Sequence, residues 1–317
     1  MGSVTALPGS MLMGQDFSRF MEESEEHAKV LPPSAFQGQF EAYRRDGGQS
    51  DSPCLPWSKT HENFQMRPGE VTLWAGTNGS GKSMVTSHVA LSLMQQGHKV
   101  VTQSFEMKPI RQLERFIRQS AACKDFSDQA ALRFFDWAEG RLWFYDQQGT
   151  VKPKMVMAVC RYAAQELGAT NVVIDSLMKA VKGEDDYNGQ KDFVDMLTSV
   201  ARDYGIHIHL VHHTKKMEDE TKIPSKTDAK GSGAIADLVD NVMMVWRNKP
   251  KEAIADAYNR GATIGQKEME KLDAPDVILV CDKQRNHDWE GRIALWFDRG
   301  SWQYLGGPKH AAIPIGA

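Results

Sequence analysis

The run Gly76-Thr77-Asn78-Gly79-Ser80-Gly81-Lys82-Ser83 constrains this chain more than any other stretch of it. It fits the pattern G-x-x-x-x-G-K-S. It follows a segment that reads as a strand (Val71–Ala75, VTLWA) and opens one that reads as a helix (MVTSHVALSLM), the context that gives the pattern its meaning. Glycines let consecutive backbone N–H groups curl around an anion, and the helix that begins there turns its positive end toward the same point. Lys82 is placed for the β- and γ-phosphates of a nucleoside triphosphate, and the Ser83 hydroxyl for Mg²⁺. A chance glycine-rich turn does not account for eight fitting positions between a strand and a helix. A site for ATP, or another NTP or dNTP, with Mg²⁺ is therefore expected.

The rest of the chain supplies a matching frame. After Trp57, short apolar runs (Val71–Ala75, Val100–Gln103, Leu142–Tyr145, Val172–Asp175, Ile206–Val211, Val242–Trp246, Val277–Cys281, Ile293–Phe297) read as strands, and Ser83–Gln95, Ile110–Ser120, Lys154–Leu167 and Asp192–Asp203 read as helices between the earlier ones. Such alternation predicts an α/β fold with a mainly parallel sheet covered on both faces. The last strands follow one another without clear helices, so that end is expected to be antiparallel. Before residue 58 the spacing predicts a helix over 15–31, with Phe17, Phe20, Met21, His27, Val30 and Leu31 on one face. Pro32 and Pro33 stop it, and 45–56 has the chemistry of a linker. The expected division is thus an N-terminal arm over 1–57 and one nucleotide-binding domain over 58–317.

Composition excludes several classes. The 317 residues are 41% hydrophobic and 25% charged, ordinary for a globular protein, and no run of 18 uncharged apolar residues predicts a membrane span. No secretory signal is read at the N-terminus, and a cytoplasmic location, bacterial or in a phage-infected host, is expected. Cys54, Cys123, Cys160 and Cys281 form no CxxC pair, which argues against a zinc site and for reduced thiols. The net charge is −3. Nucleic acid, if bound, must then be held by local loops rather than by a basic surface.

Three further regions carry candidate chemistry. Asp175 ends an apolar strand, at the edge of a parallel sheet where ligands bind, and reads as the acid that supports Mg²⁺; capping the turn from Ser176 is its structural alternative. Glu106 follows another strand. If that strand neighbours the phosphate loop, Glu106 faces the γ-phosphate and can polarise water, and otherwise it is a solvated loop acid. In the run Ile206–His213, alternation puts His207 and His209 on one face and leaves His212 and His213 at the strand's end, where one of them can contact the γ-phosphate. Residues 214–233 form a long polar stretch in which Lys215, Lys216, Lys222, Lys226 and Lys230 are offset by Glu218, Asp219, Glu220 and Asp228. Lys230-Gly231-Ser232-Gly233 can offer a lysine and backbone amides to a phosphodiester chain, and a solvated charged loop accounts for the composition equally well.

Taken together, these motifs resemble the RecA-like ATPase domain of hexameric replicative helicases, the group of DnaB-type enzymes, bacteriophage primase–helicases and Twinkle. The resemblance covers about residues 57–305 and rests on RPGEVTLWAGTNGSGKS, SFEM, VVIDSL, VHHTKK, KGSGAIADLVDNVMMVWRNK and VILVCDKQRNHDWEG. It implies that Glu106 is the catalytic glutamate, that Asp175 is the Mg²⁺-supporting acid, and that His213, rather than His212, senses the γ-phosphate. It also makes Arg285 an arginine finger that acts on the neighbouring subunit, with Lys283 as its companion. Strand alternation agrees that Lys283 and Arg285 point the same way, and their anion is expected outside the subunit because no sequence neighbour except Asp288 offers one. By the same resemblance, loops at about 179–190 and 215–233 line a channel for single-stranded DNA, with Lys215, Lys230, Gly231, Ser232, Gly233 and Arg247 on the DNA. Arg247 and Phe297 fall near a pair that sandwiches a base, though Arg247 reads equally well as a surface salt-bridge residue.

What the resemblance implies is a ring-forming, ATP-dependent DNA helicase, a homo-oligomer that is hexameric by analogy. The helix over 15–31 resembles the family's linker helix, which packs on the neighbouring subunit; packing on its own core is the alternative. With only about 57 residues ahead of the domain, a primase or loader is expected as a separate protein, or the chain as a fragment or a minimal phage or plasmid form. Two other functions suit the same fold: a recombination ATPase that forms open filaments, and an ATP-gated assembly protein that does not unwind.

Overall fold

The computed structural model describes residues 18–21, 32–45, 52–181, 186–214, 221–223 and 233–316. All eight expected strands are present, joined by a short ninth. In chain order they are β1 (Val71–Gly76), β2 (Val100–Ser104), β3 (Leu142–Tyr145), β4 (Asn171–Asp175), β5 (His207–His213), β6 (Asn241–Arg247), β7 (Val277–Gln284), β8 (Gly291–Phe297) and β9 (Tyr304–Leu305). They form one sheet in the order β3-β2-β4-β5-β1-β6-β7-β8-β9. The first six are parallel and the last three antiparallel. The inner parallel strands are buried on both faces, as expected of strands covered by helices on each side, while the edge strand β3 is half-buried.

The helices are α1 (Ser18–Met21), α2 (Gln37–Arg45), α3 (Lys82–Gln95), α4 (Pro109–Ala121), α5 (Asp128–Ala138), α6 (Pro153–Gln165), α7 (Tyr187–Tyr204), α8 (Gly233–Leu238), α9 (Lys249–Asn259) and α10 (Gln266–Leu272). One face of the sheet packs Val71, Leu73, Ile208, Leu210 and Ile174 against α6, α7 and α8. The other packs Trp74, Val173, Val211, Met243 and Val245 against α3, α4 and α5. Each fully buried aliphatic side chain stabilises the fold by about 1.5–3 kcal/mol.

On the α3 face, at the end of the strands where β1, β5 and β6 begin, polar side chains replace apolar ones. Asn241 donates to Glu70 Oε2 (2.9 Å) and to Thr72 Oγ1 (3.2 Å), and Thr72 donates to His207 Nε2 (2.9 Å). His207 Nδ1 donates to the Arg67 carbonyl (2.7 Å). The His207 and His209 rings lie 4.7 Å apart. His209 Nδ1 accepts from Trp74 Nε1 (3.3 Å), and its Nε2 donates to Asn171 Oδ1 (3.2 Å). Burial holds both histidines below the ordinary imidazole range, as this pattern of one donor and one acceptor nitrogen on each neutral ring requires.

Two expectations change. The end of the sheet is antiparallel as read, but α9 and α10 stand between β6 and β7. Neither buries a residue, so neither shows a strong apolar stripe; α9 is marked instead by its cap, Asn248 accepting from Lys251 N–H, and by a proline in its first turn. The linker expected at 45–56 ends earlier, since Leu55 is fully buried and Cys54 bridges to Gln65. Its polar, turn-like composition conceals a strand-like bridge. Of the helix expected over 15–31, only Ser18–Met21 falls among the described residues. It is helical, and Phe20 packs edge-on against Tyr162 of α6 in the same chain. α2, for which the sequence carries no strong signal, buries none of its described side chains and exposes Phe40, with Phe36 exposed just ahead of it.

Candidate nucleotide site

The phosphate loop joins β1 to α3, as its sequence predicts. Gly76 is required by close approach: a Cβ there would lie 2.6 Å from the Val245 carbonyl oxygen. Gly81, with φ +95°, meets the Tyr304 hydroxyl in the same way, at 2.6 Å from where a Cβ would sit. No side chain caps α3, which leaves the amides of its first turn available to an anion. Lys82 Nζ donates to the carbonyls of Gly76 and Thr77, both at 2.8 Å. Burial brings the Lys82 ammonium down to about 8, opposed by the carboxylates of Asp175 and Glu106. A strongly desolvated cation beside an uncapped helix start is a site built for a multiply charged anion.

Asp175 ends β4 two strands away, on the sheet face that α3 covers. Burial raises its carboxyl, and a hydrogen bond from Ser83 acts in the opposite direction. Ser83 and Asp175 therefore bring a hydroxyl and a carboxylate together, an all-oxygen donor set that suits Mg²⁺. The peptide bond from Asp175 to Ser176 is cis.

Glu106 reaches this point by a route other than the one expected. Its strand, β2, is separated from β1 by β4 and β5, so it is no neighbour of the phosphate loop. The loop after β2 nevertheless leans over the tip of β4. Ser176 Oγ donates to Glu106 Oε1 at 2.9 Å, and His213 Nε2 lies 3.8 Å from the same oxygen. β5 pairs directly with β1, Gly76 opposite His213, and Thr214 N–H donates to the Gly76 carbonyl (3.1 Å). Alternation separates the two terminal histidines: His213 shares the α3 face with Asp175, while His212 is buried on the other, its imidazole brought down to about 4 by burial.

A residue outside the sequence reading completes the group. Arg115 of α4 is half-buried, donates from Nη1 to the Ser83 carbonyl (2.8 Å) and lies in the field of Asp175. It sits at the margin of the buried stripe of α4, beside Gln112, Phe116 and Gln119, where a charged residue is unremarkable and the sequence gives no signal of its role.

Beside the loop opens a cavity of about 380 Å³, lined among others by Gly81, Met84, Arg247, Phe297 and Tyr304. Arg247 stands at the tip of β6. It donates to Glu252 Oε1 (2.6 Å) and to the Gly79 carbonyl (3.1 Å), and the Phe297 and Tyr304 rings are 5.1 Å apart. Arg247 is thus a salt-bridge residue at the mouth of the cavity next to the phosphate loop.

Lys283 and Arg285 lie at the other end of the strands, because β7 runs antiparallel to β6 and ends where β6 begins, Gln284 opposite Asn241. At a rise of about 3.3 Å per residue, the length of β1 separates them from the phosphate loop of their own chain by roughly 20 Å. The expectation that no anion in the chain serves them is corrected: Arg285 pairs with Asp240 at 2.9 Å. Asp240 is far from both in sequence, and only the pairing of β6 with β7 brings it there. Lys215, Lys230, Gly231 and Ser232 lie outside the described residues, and Gly233 is the first residue of α8. No helix among the described residues is long and apolar enough to cross a membrane.

A phosphate loop, a buried acid at the next-but-one strand tip and a polar strand end closing over both define a P-loop ATPase on a mostly parallel sheet. The chain belongs to the AAA domain family, whose model matches residues 50–219. Among curated relatives it is similar to the DNA helicase/primase of Enterobacteria phage T3, 23% identical over 206 residues, which cover 58% of this chain and 36% of that protein. It is likewise similar to the Twinkle homolog protein, chloroplastic/mitochondrial, of Arabidopsis thaliana, 23% identical over 231 residues, 67% of this chain and 32% of the other. The chain thus spans about a third of the length of these relatives. Two solved structures share its fold. One is an isolated ATPase domain, which matches with a TM-score of 0.68 at 16% identity over 87% of this chain and 99% of that one. The other, a DnaB-like replicative helicase solved for its interactions with primase, matches with a TM-score of 0.64 at 14% identity over 87% and 67%. The fold is that of a replicative-helicase ATPase domain, RecA-like, with antiparallel strands at its C-terminal end.

Proposed function

We propose that this chain is a DNA-dependent ATPase of the replicative-helicase kind, which assembles head to tail, moves on single-stranded DNA and unwinds duplex. The observation that carries the reading is the separation of the phosphate loop from Arg285 by the length of the sheet. Arg285 cannot serve the nucleotide of its own chain. A second copy, stacked so that one rim meets the other, brings the two together, and such heterologous contacts close into rings or run on as helices.

Within the site, the phosphate loop and Lys82 hold the β- and γ-phosphates. Ser83 and Asp175 hold Mg²⁺, which when bound neutralises charge on the phosphates. Glu106 orients and deprotonates the attacking water, and His213, in contact with Glu106, reports whether the γ-phosphate is present. Arg115 keeps Ser83 and Asp175 in register. Arg247, Phe297 and Tyr304 receive the base and sugar in the adjoining cavity. Arg285 of the next subunit completes the charge, and the polar segment 215–233, with Lys215, Lys230, Gly231, Ser232 and Gly233, faces DNA on the axis. The N-terminal arm over 1–57 is a unit of its own in this reading, though Phe20 of α1 and the residues from 52 on pack with the ATPase domain.

The experiment is ATP hydrolysis with and without single-stranded DNA, alongside displacement of a strand from a forked duplex. Stimulation together with displacement is expected. Stimulation without displacement favours a filament-forming recombination ATPase, and no stimulation overturns the assignment of DNA to segment 215–233.

A further inference from the structure

The two cations at the far rim are held by one short element. Lys283 Nζ donates to the carbonyls of Ala236 (2.9 Å), Asp237 (2.9 Å) and Val239 (2.7 Å), at the end of α8. Arg285 Nη2 reaches the carbonyls of Asp237 (3.4 Å) and Leu238 (3.3 Å). Its Nη1 meets Asp240 Oδ1 at 2.9 Å, and its own N–H donates to the Asp240 carbonyl, also at 2.9 Å. Asp240 is itself fastened, its Oδ2 accepting from Val71 N–H at 3.0 Å, and it is buried. Next along the chain, Asn286 donates to the buried carboxylate of Glu70 at 2.6 Å.

Cations at the C-terminal end of a helix complete its unsatisfied carbonyls, but that alone needs one cation and no buried acid. Here a carboxylate anchored in the first residue of β1 grips one edge of the guanidinium, while the Arg285 side chain stays 42% exposed. A guanidinium has five N–H groups in a rigid fork, so its inner edge can be held while the outer edge remains free to meet an anion. A long side chain fixed in this way loses its rotamer freedom before the encounter rather than during it.

We propose that Asp240 is a positioning residue which, with the end of α8, holds Arg285 aimed outward for the phosphate of a neighbouring subunit. The inference rests on the trans-acting finger proposed above. It also has a mechanical corollary: the polar stretch up to residue 233 leads directly into α8, so a displacement of α8 displaces the finger.

The test uses mixed assemblies of the full chain. Subunits carrying Lys82→Ala can donate only a finger, and subunits carrying Arg285→Ala can donate only a nucleotide site, so turnover in the mixture comes from fingers acting across subunits. No turnover in this parent mixture overturns the trans finger and, with it, the assignment of Asp240. Where the parent mixture turns over, Asp240→Asn is added to one partner at a time, with thermal melting of each variant to follow folding. In the finger donor, turnover is expected to fall about tenfold, the weight of one charge-assisted hydrogen bond. In the site donor it is expected to stay unchanged, and Asp240→Glu in the finger donor to recover part of the loss. Equal loss in both placements, which a merely structural acid would give, or no loss in either, overturns the proposal.

Discussion

The two rims of the sheet are built in opposite ways. At the phosphate-loop rim the main parts come from one stretch, a strand, a glycine loop and a helix start within Val71–Gln95, with Asp175, Glu106 and His213 added from neighbouring strand tips. At the finger rim no two neighbours in sequence suffice. Asp240 meets Arg285, and Glu70 meets Asn286, only through pairings between distant parts of the chain. The first rim is built to receive an anion, and the second holds two cations against the end of α8. The difference teaches that a site can be assembled largely from local structure at one end of a sheet, while the cluster at the other end depends on long-range pairing within the chain.

The sharpest way to break the comparison is to remove the charge from each rim in turn. Arg285→Ala is expected to lower turnover about 10³–10⁵-fold while leaving nucleotide affinity near that of the parent chain, read by titration with a fluorescent nucleotide. Lys82→Ala is expected to lose binding as well as turnover. If Arg285→Ala also abolished binding, the two rims would not be separable. Next in size, Glu106→Gln is expected to slow hydrolysis about 10²–10⁴-fold with binding intact, measured in single-turnover assays, and unchanged turnover would remove Glu106 from the chemistry.

Acid gives a gentler probe of the loop rim. His88 lies wholly buried in α3 behind the phosphate loop, and burial brings its imidazole from 6.5 down to about 4. Between those values the unfolded chain binds the proton and the folded chain does not, so stability rises with pH across the window and is lost as pH falls from 6.5 toward 4. The slope is about 1.4 kcal/mol per pH unit from this group, with His212 contributing in the same sense. His88→Gln is expected to flatten the acid limb of a urea-denaturation series, and an unchanged limb would show that His88 is not its source. The smallest effect is expected away from both rims. Arg19 and Glu166 pair at 2.6 Å but are exposed, and Arg19→Ala is expected to change stability by less than about 1 kcal/mol by the same denaturation measurement.

The contrast between the rims also sets what is legible in the sequence. Strands and the phosphate loop show as apolar runs and as a spaced pattern, so all eight longer strands and the loop stand where the sequence places them. Glu106 is reached from its motif rather than from geometry, since two strands, β4 and β5, stand between β2 and β1. Arg115 escapes notice because a charged residue at the margin of a helix's buried stripe gives no sign of its partner until α4 is laid beside Ser83. The Arg285–Asp240 pair is hidden for the same reason: the neighbour the sequence offers is Asp288, and the anion that Arg285 meets stands across the sheet. α9 and α10 are surface helices, and periodicity is silent where there is little to bury.

The polar seam beneath β1, β5 and β6 has one more consequence. In an apolar sheet, sliding a strand by one residue turns every side chain to the opposite face, and several such slips still bury hydrophobic groups. Here a slip would also strand Thr72, His207, His209, Asn241 and Glu70 without their partners, at about 1–3 kcal/mol for each buried group left unpaired. The seam is therefore a gauge for length. It fixes the feet of the three central strands to one another, and because the strands are rigid, it fixes the height at which Gly76, His213 and Arg247 emerge at their tips.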